Sequence, residues 1–507
     1  MSAMLAERDD AAEADEPWPL PEGWAFAKLG EIVERLTDGT HQPPKFESAG
    51  IPFVVIGNIK GHAIGWSSIS KWVSLETYET EAKRLRPRKG DVLYTAVGSY
   101  GLAVNVADDR DFMFQRHIAF LRPYGEVIDP SYLSHALNSP LLKRQADSAA
   151  RGVAQKTVTL GSLRGFILPL APLSEQRRID ARIEELFAEI AEGEAALERV
   201  RSGLDTWRRT LLKAAVTGEL TRDWRQANKP SGTASDFLTQ IRALRTSRKY
   251  LAPQSTAEPY DSSLLPNIPA DWLWVPLAEF INKIEAGLNV KAVGHPPHRG
   301  ETGIVKISAV TWGEFDELAS KTLLPGTEYD DAHIIRPGDF LISRANTLEL
   351  VGAPVIVKRC ERRLVLSDKV LRLRLIGQMD TWIEIFLKSP YGRQQIESFA
   401  QGNQLSMRNI SQDNLRRIVV PLPPNDELRQ VEKLFLELFA SNEETRTQLG
   451  EIQRTEQNLR QSILKAAFEG RLVPQDPNDE PASILLARLR AEASPAPRRA
   501  RGRRAAS

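Results

Sequence analysis

Between Ser174 and Leu220, large apolar residues recur at alternating intervals of four and three: Ile179, Ile183, Leu186, Ile190, Leu197, Val200, Leu204, Trp207 and Leu211. One position of that series, Gly193, lacks a large apolar side chain. This is the a/d spacing of a helix with a narrow apolar stripe, flanked here by Glu and Arg. Ser174 offers an N-cap after Pro172, and Gly218 offers a stop. At about 1.5 Å per residue the helix would be roughly 65 Å long, more than a small domain needs. Such a stripe requires a second helix.

The chain supplies one by repeating itself. Leu168-Pro169-Leu170-Ala171-Pro172 returns as Val420-Pro421-Leu422-Pro423-Pro424, and Leu211–Leu220 returns as Ile463–Leu472, both 252 residues on. LPEGW ending at Trp24 answers IPADW ending at Trp272, and the Gly90-Asp91-Val92-Leu93 step answers Gly338-Asp339-Phe340-Leu341. Carried across, the apolar series becomes Val431, Phe435, Leu438, Asn442, Thr445, Leu449, Ile452, Glu456, Leu459 and Ile463. Three of these positions, Asn442, Thr445 and Glu456, are polar, and polar seam residues cost stability while fixing register and orientation. The two helices packed against each other, antiparallel, would put two equivalent globular domains at opposite ends.

Each domain should be α+β. Short β-branched runs bounded by Gly, Pro and Asn read as strands: Ile51–Ile56, Asp91–Thr95 and His117–Leu121, then Gly303–Ile307, Asp339–Ser343 and Lys369–Leu373. Helices are expected around Ser131–Ala149 and Thr381–Ala400. The expected order is an acidic disordered tail (1–19), a first domain (20–172), a long helix (173–227) and a linker with a short helix around Phe237, Leu238, Ile241 and Leu244 (228–263). A second domain (264–424), a second long helix (425–474), a short C-terminal helix region (475–492) and a basic disordered tail (493–507) complete it.

Composition removes several function classes. With 42% hydrophobic and 26% charged residues in 507, the chain is typical of a soluble globular protein. The lone Cys360 allows neither a disulfide framework nor a Cys-based zinc site, which fits a reducing cytoplasm. No apolar run is long enough to span a membrane, and the start of the chain is acidic, unlike a signal peptide. A net charge of +1 gives no global basic excess, so nucleic-acid binding would have to rest on local patches. No phosphate loop, zinc-protease helix, dinucleotide fingerprint or amino-methyltransferase motif is present. The pair His295 and His298 is separated by two prolines and reads as a polar loop. Asp91 and Asp339 read as turn caps, and Trp24 and Trp272 as core anchors.

The duplicated domain, the phrase LPLAPLSEQRRI with Glu175-Gln176, and the Lys-Ala-Ala-Phe-x-Gly-x-Leu phrase at Lys465–Leu472 together resemble the specificity (S) subunit of type I restriction–modification enzymes. The first copy of that phrase, Lys213–Leu220, has Val216 for Phe, and the second helix opens Glu427-Leu428, without the Gln. The Gly-Asp strand starts and the stretches Gly152–Gln155 and Gln401–Gln404 also look like the family. The fold so implied is α+β, with two similar target-recognition domains separated by two long antiparallel coiled-coil helices in a pseudo-twofold internal repeat.

The resemblance implies a chain that is non-catalytic by itself and binds double-stranded DNA. Each domain would read one half of a bipartite asymmetric sequence, and the helix pair would set the gap and dock two methyltransferase (modification) subunits. Restriction/translocase subunits would complete the enzyme, and S-adenosylmethionine, ATP and Mg²⁺ would belong to those partners. The rival reading is a coiled-coil adaptor without sequence-specific DNA binding. A recognition half fused to its own catalytic part is disfavoured by the missing motifs. For base and phosphate contact we select polar residues in loops beside the expected strands. They are Thr40, His41, Asn58, Lys60, Ser99, Tyr100, Arg116, Gln155 and Lys156 in the first domain. In the second they are Lys306, Ser308, Ser343, Arg344, Asn346, Lys369, Gln404 and Arg408. Arg and Lys suit guanine edges and phosphates, Asn and Gln adenine.

Overall fold

A computed structural model describes residues 19–61, 63–152, 155–246, 257–311, 313–404 and 407–493. The acidic stretch before residue 19, the Arg-rich end after 493, most of the middle of the linker (247–256) and residues 153–154 of the Gly152–Gln155 phrase lie outside the described residues. The chain divides into two compact units, one made of Met1–Ala196 with Gly450–Ser507, the other of Leu197–Leu449.

In the first unit a four-stranded antiparallel sheet runs in the order Val33–Asp38, Ile118–Pro123, Val92–Thr95, Ala103–Asn105. Its central strands are apolar over residues 118–121 and 92–94 because both faces are covered there. Val92, Tyr94, Ala119 and Leu121 pack on Leu133 and Leu137 of the helix Pro130–Asn138. Leu93, Ile118 and Phe120 pack on Val54, Phe112 and Phe114. The strand pair Ala25–Lys28 and Ile167–Leu170 brings the beginning and end of the domain together at the start of the long helix Leu173–Val216.

The second unit repeats this plan. Its sheet runs Ile281–Ala286, Val370–Leu375, Phe340–Ser343, Pro354–Ile356, and Leu273–Pro276 pairs with Val419–Leu422 before the helix Asn425–Phe468. Phe340, Ile342, Leu371 and Leu373 face one core, Leu341 and Val370 another.

The helical stretches expected around Ser131–Ala149 and Thr381–Ala400 are each two helices. Pro130–Asn138 is followed by Pro140–Ala149, and Asp380–Lys388 by Pro390–Phe399. Proline has no N–H to continue a helix but suits its first turn, and Ser139 and Ser389 cap the new helices by accepting from Leu142 and Gly392.

Each long helix ends against a proline of its own unit. Gly218 (φ +74°) and Gly470 (φ +68°) hold left-handed conformations, and an added Cβ would lie 2.6 Å from Pro269 Cγ and 2.1 Å from Pro21 Cγ. Only glycine satisfies both the backbone and the space. The short helices that follow, Ala234–Thr246 and Ala482–Ala493, then pack on the cores through Phe237, Leu238 and Ile241, and through Leu485 and Leu486.

Candidate nucleic-acid interface and helix pair

The joint between domain and helix is built the same way twice. Trp24 Nε1 donates to Glu175 Oε2 at 3.0 Å in the first unit, and Trp272 Nε1 donates to Glu427 Oε2 at 2.9 Å in the second. Both tryptophans are core anchors and both carboxylates are buried. Burial pushes the Glu175 carboxyl above the ordinary glutamate value, and hydrogen bonds from Gln475 and Trp24 pull partly against it. Glu427 is held instead by Thr221 at 2.7 Å and by the Arg225 guanidinium. Gln176, fully buried, accepts from the Asp129 N–H and donates to the Val127 and Ala171 carbonyls. Leu428, its counterpart, is buried in the second unit's core.

Asp91 and Asp339 cap their turns, accepting from the backbone N–H of Arg88 (2.7 Å) and Arg336 (2.9 Å). Each also does something the sequence reading missed. Asp91 takes Arg122 in two 2.7 Å bonds, and Asp339 takes Arg372 at 2.9 Å and Arg374 at 2.7 Å.

Within each unit the two long helices run antiparallel, because contact partners descend on one as they ascend on the other. In the second unit Asp205 pairs with Arg446 and Arg208 with Glu443. In the first, Phe187 lies beneath Arg460, and Gly193, six residues on, faces Glu456, four residues before Arg460. The long Arg460 side chain also reaches Glu194 at 3.0 Å. One cation–π contact occurs twice, as the repeat requires. Arg208 lies over Phe439 at 4.8 Å, and Arg460, 252 residues after Arg208, lies over Phe187, 252 residues before Phe439, at 5.6 Å.

The seam is narrower than the sequence pattern. The heptad series Ile183, Ile190, Leu197, Leu204, Leu211 lies inside the pair, as does Phe435, Asn442, Leu449, Glu456, Ile463; each member is buried or half-buried. In the alternate series Ile179 and Val431 are buried in their domain cores, and Leu186 is half-buried. Farther along, this series turns outward. Trp207, expected to pack between the helices, is 39% exposed, and Val200, Leu438, Ile452 and Leu459 are exposed as well. The series is covered only where a domain core supplies cover.

The candidate DNA contacts sort into groups. In the first domain, Thr40 and Arg116 are joined through backbone bonds, with Arg116 N–H donating to the Thr40 carbonyl, and exposed His41 pairs with Asp38 at 3.0 Å. A second group forms where the Gly98 N–H donates to the Lys156 carbonyl and Val97 bridges to Thr157. This brings the Ser99-Tyr100 loop beside exposed Gln155 and Lys156. Tyr100 donates to Asp147 at 2.8 Å, and Lys143, which the sequence reading did not select, lies over its ring at 4.1 Å. Lys60 is exposed on the hairpin formed by Ile59–Lys60 and Ala63–Ile64.

The second domain brings together the equivalent loops. Arg344 N–H donates to the Lys369 carbonyl, Ile410 N–H donates to the Arg344 carbonyl, and Asn346 sits opposite Arg408 in the strand pairing. Gln404 closes the same three-stranded sheet. An open pocket of about 320 Å³ is lined by Arg344, Asp368, Lys369, Gln401, Asn409 and Ser411. Lys306 and Ser308 lie at the end of another strand, Thr302–Val305, away from this lining. Asn409 was missed because nothing local separates it from neighbouring polar residues.

Two selected residues are structural. Asn58 is buried: its side chain accepts from the Val55 N–H at 2.9 Å and donates to the Ser68 carbonyl at 2.9 Å, closing a turn. Ser343 is also buried and donates to the Leu350 carbonyl at 2.6 Å. Buried polar groups are committed to such partners and have none left for a base edge.

The chain thus holds two like α+β domains, each joined to the start of one long helix and the end of another. The chain is similar to specificity subunits of type I restriction–modification systems. Residues 21–199 match the family model described as "Type I restriction modification DNA specificity domain". The type I restriction enzyme EcoKI specificity subunit of Escherichia coli K12 is 24% identical over 491 residues, covering 93% of this chain and 96% of its own length. The EcoAI specificity subunit of Escherichia coli is 40% identical over 266 residues, half of this chain and 44% of its own. The fold is shared with a chain from a solved structure on complex assembly and conformational transition of the type I R-M system. That match has a TM-score of 0.58 and 19% identity, and covers 90% of this chain and all of the other. Among the described residues, no helix is long and apolar enough to cross a membrane.

Proposed function

We propose that this chain is the DNA-reading subunit of a type I restriction–modification complex and is not catalytic by itself. Each globular domain reads one half of a bipartite, asymmetric DNA target, and the helix pair sets the spacing between the halves. The observation that carries this is the repeated convergence of polar loops at the end of each central sheet. Ser99, Tyr100, Gln155 and Lys156 meet in one domain, and Arg344, Asn346, Lys369 and Arg408 in the other. Because those side chains differ between copies, the half-sites differ too.

Two modification subunits dock along the helices, one on each unit. The apolar residues left open there support this: Val200, Trp207 and Leu438 in one unit, Ile452 and Leu459 in the other. S-adenosylmethionine binds to those subunits, and ATP and Mg²⁺ to the restriction/translocase subunits. The complex works on DNA in the cytoplasm.

Co-expression with a type I modification subunit, followed by sequencing of methylated DNA, tests the reading. N6-methyladenine should appear at a two-part motif, and the purified complex should hold one copy of this chain to two modification subunits. Methylation at a continuous motif, or none, refutes it. Seven residues inserted into both helices lengthen each by about 10.5 Å, so the unread gap should grow by roughly three base pairs with both half-sites unchanged. Changed half-sites would show that the helices are not a spacer.

A further inference from the structure

The first unit contains a polar triad that the DNA-reading function does not use. His135, on the helix Pro130–Asn138, is buried to 4% exposure against the first long helix. Its Nε2 lies 3.3 Å from Asp180 Oδ1 and 3.0 Å from Glu184 Oε1. Asp180 and Glu184 are one helical turn apart, so both carboxylates reach from the same face. All three ligand atoms fall within 4.8 Å of one another. The imidazole is held edge-to-face against Phe187, with ring centroids 5.8 Å apart.

These separations match a tetrahedral ion site. With metal–ligand bonds of roughly 2.0–2.1 Å, ligand atoms lie roughly 3.3 Å from each other. Glu184 is exposed, which leaves an entry path from solvent and room for a water as fourth ligand.

The repeat supplies an internal control. The positions corresponding to His135, Asp180 and Glu184 are Ile385, Glu432 and Leu436, so the second copy builds the same helix-on-helix contact without a ligand set. The fold therefore does not need a polar triad here. A buried histidine between two carboxylates gains little net stability over apolar packing, because desolvation offsets the attraction. Ion binding gives the triad a purpose.

We infer that His135, Asp180 and Glu184 form a site for a divalent transition-metal ion of the zinc class, which ties the first recognition domain to the first long helix. One nitrogen and two oxygen ligands suit Zn²⁺. The bound ion stiffens the joint through which the domain is held on its helix.

The test uses the full chain, stripped with a chelator and titrated with Zn²⁺ against a chromophoric competitor, with Co²⁺ absorption as a second probe. One ion per chain is expected, a raised unfolding temperature, and the visible bands of tetrahedral Co²⁺. Because Glu184 is exposed, Glu184→Gln should leave the metal-free chain folded yet weaken binding at least about tenfold. His135→Gln should abolish it. The exposed trio His295, His298 and Glu301 is the other cluster of this kind among the described residues. His298→Gln should therefore leave affinity unchanged. Affinity weaker than about 10 μM, or binding indifferent to Glu184→Gln but lost in His298→Gln, overturns the assignment. Neither DNA nor partner subunits enter the measurement, so its failure leaves the reading of half-sites untouched.

Discussion

Removing the indole N–H of Trp24 tests the joint between domain and helix most directly. In Trp24→Phe the ring still fills most of its site, but Glu175 Oε2 loses the donor that stood 3.0 Å away. Glu175 is only 1% exposed, so water cannot replace it. A hydrogen bond to a charged group contributes about 1.5–3 kcal/mol, and the smaller ring adds a cavity term, giving a loss of about 2–4 kcal/mol. For a unit of this size that is roughly 4–16 °C in unfolding temperature.

Packing and hydrogen bonding are separated by a double-mutant cycle with Glu175→Leu. Each single change strands a buried polar group, whereas the double change strands neither, so the double mutant should be less destabilised than the sum. The pH dependence has a definite sign. Burial already holds the Glu175 carboxyl above its ordinary pKa, and the Trp24 bond pulls it partly back. Without Trp24 the pKa rises further. A raised folded-state pKa means stability is regained as pH falls through it and is full below the unfolded value. The penalty of Trp24→Phe should therefore be largest near neutrality and shrink through the acid range. Calorimetry of the four variants between neutral and mildly acid pH measures all of this. A coupling energy under about 0.5 kcal/mol, or a penalty that grows on acidification, would refute the reasoning.

Two further substitutions probe the buried polar pairs. Arg122→Met leaves Asp91, buried beneath the sheet turn, without its guanidinium, and should cost about 3–5 kcal/mol by denaturant unfolding. Asn442 is buried in the helix seam with neither side-chain polar atom bonded to protein. Asn442→Leu should thus stabilise the chain by about 1–2 kcal/mol, and register loosening would show as altered cysteine cross-linking between Asp205 and Arg446 positions.

The architecture was largely legible because it was written twice. Alternating four- and three-residue spacing identified two long helices, and the 252-residue repeat paired them and identified the two domains. Gly218 and Gly470, and Pro140 and Pro390, mark breaks that local chemistry dictates. The candidate interface was legible only as regions. Arg344 and Lys369, or Gly98 and Lys156, reach each other through strand-end pairings that sequence spacing does not encode. Asn58 and Ser343 look the same in sequence as surface polar residues, yet their partners consume them.

What the sequence by itself determined is the periodic and the repeated: helix length, polarity pattern, the duplication, and the family they resemble. Tertiary structure decided which half of the apolar stripe is covered, since Ile179 and Val431 find a domain core while Trp207 and Ile452, with the same spacing, find solvent. It also decided that Trp24 bonds Glu175 across 151 residues and that His135 meets Asp180 and Glu184. Local propensity acts over a few residues along the chain. Burial, charge pairing and ligand geometry depend on groups brought together from far apart, and only the folded chain specifies those neighbours.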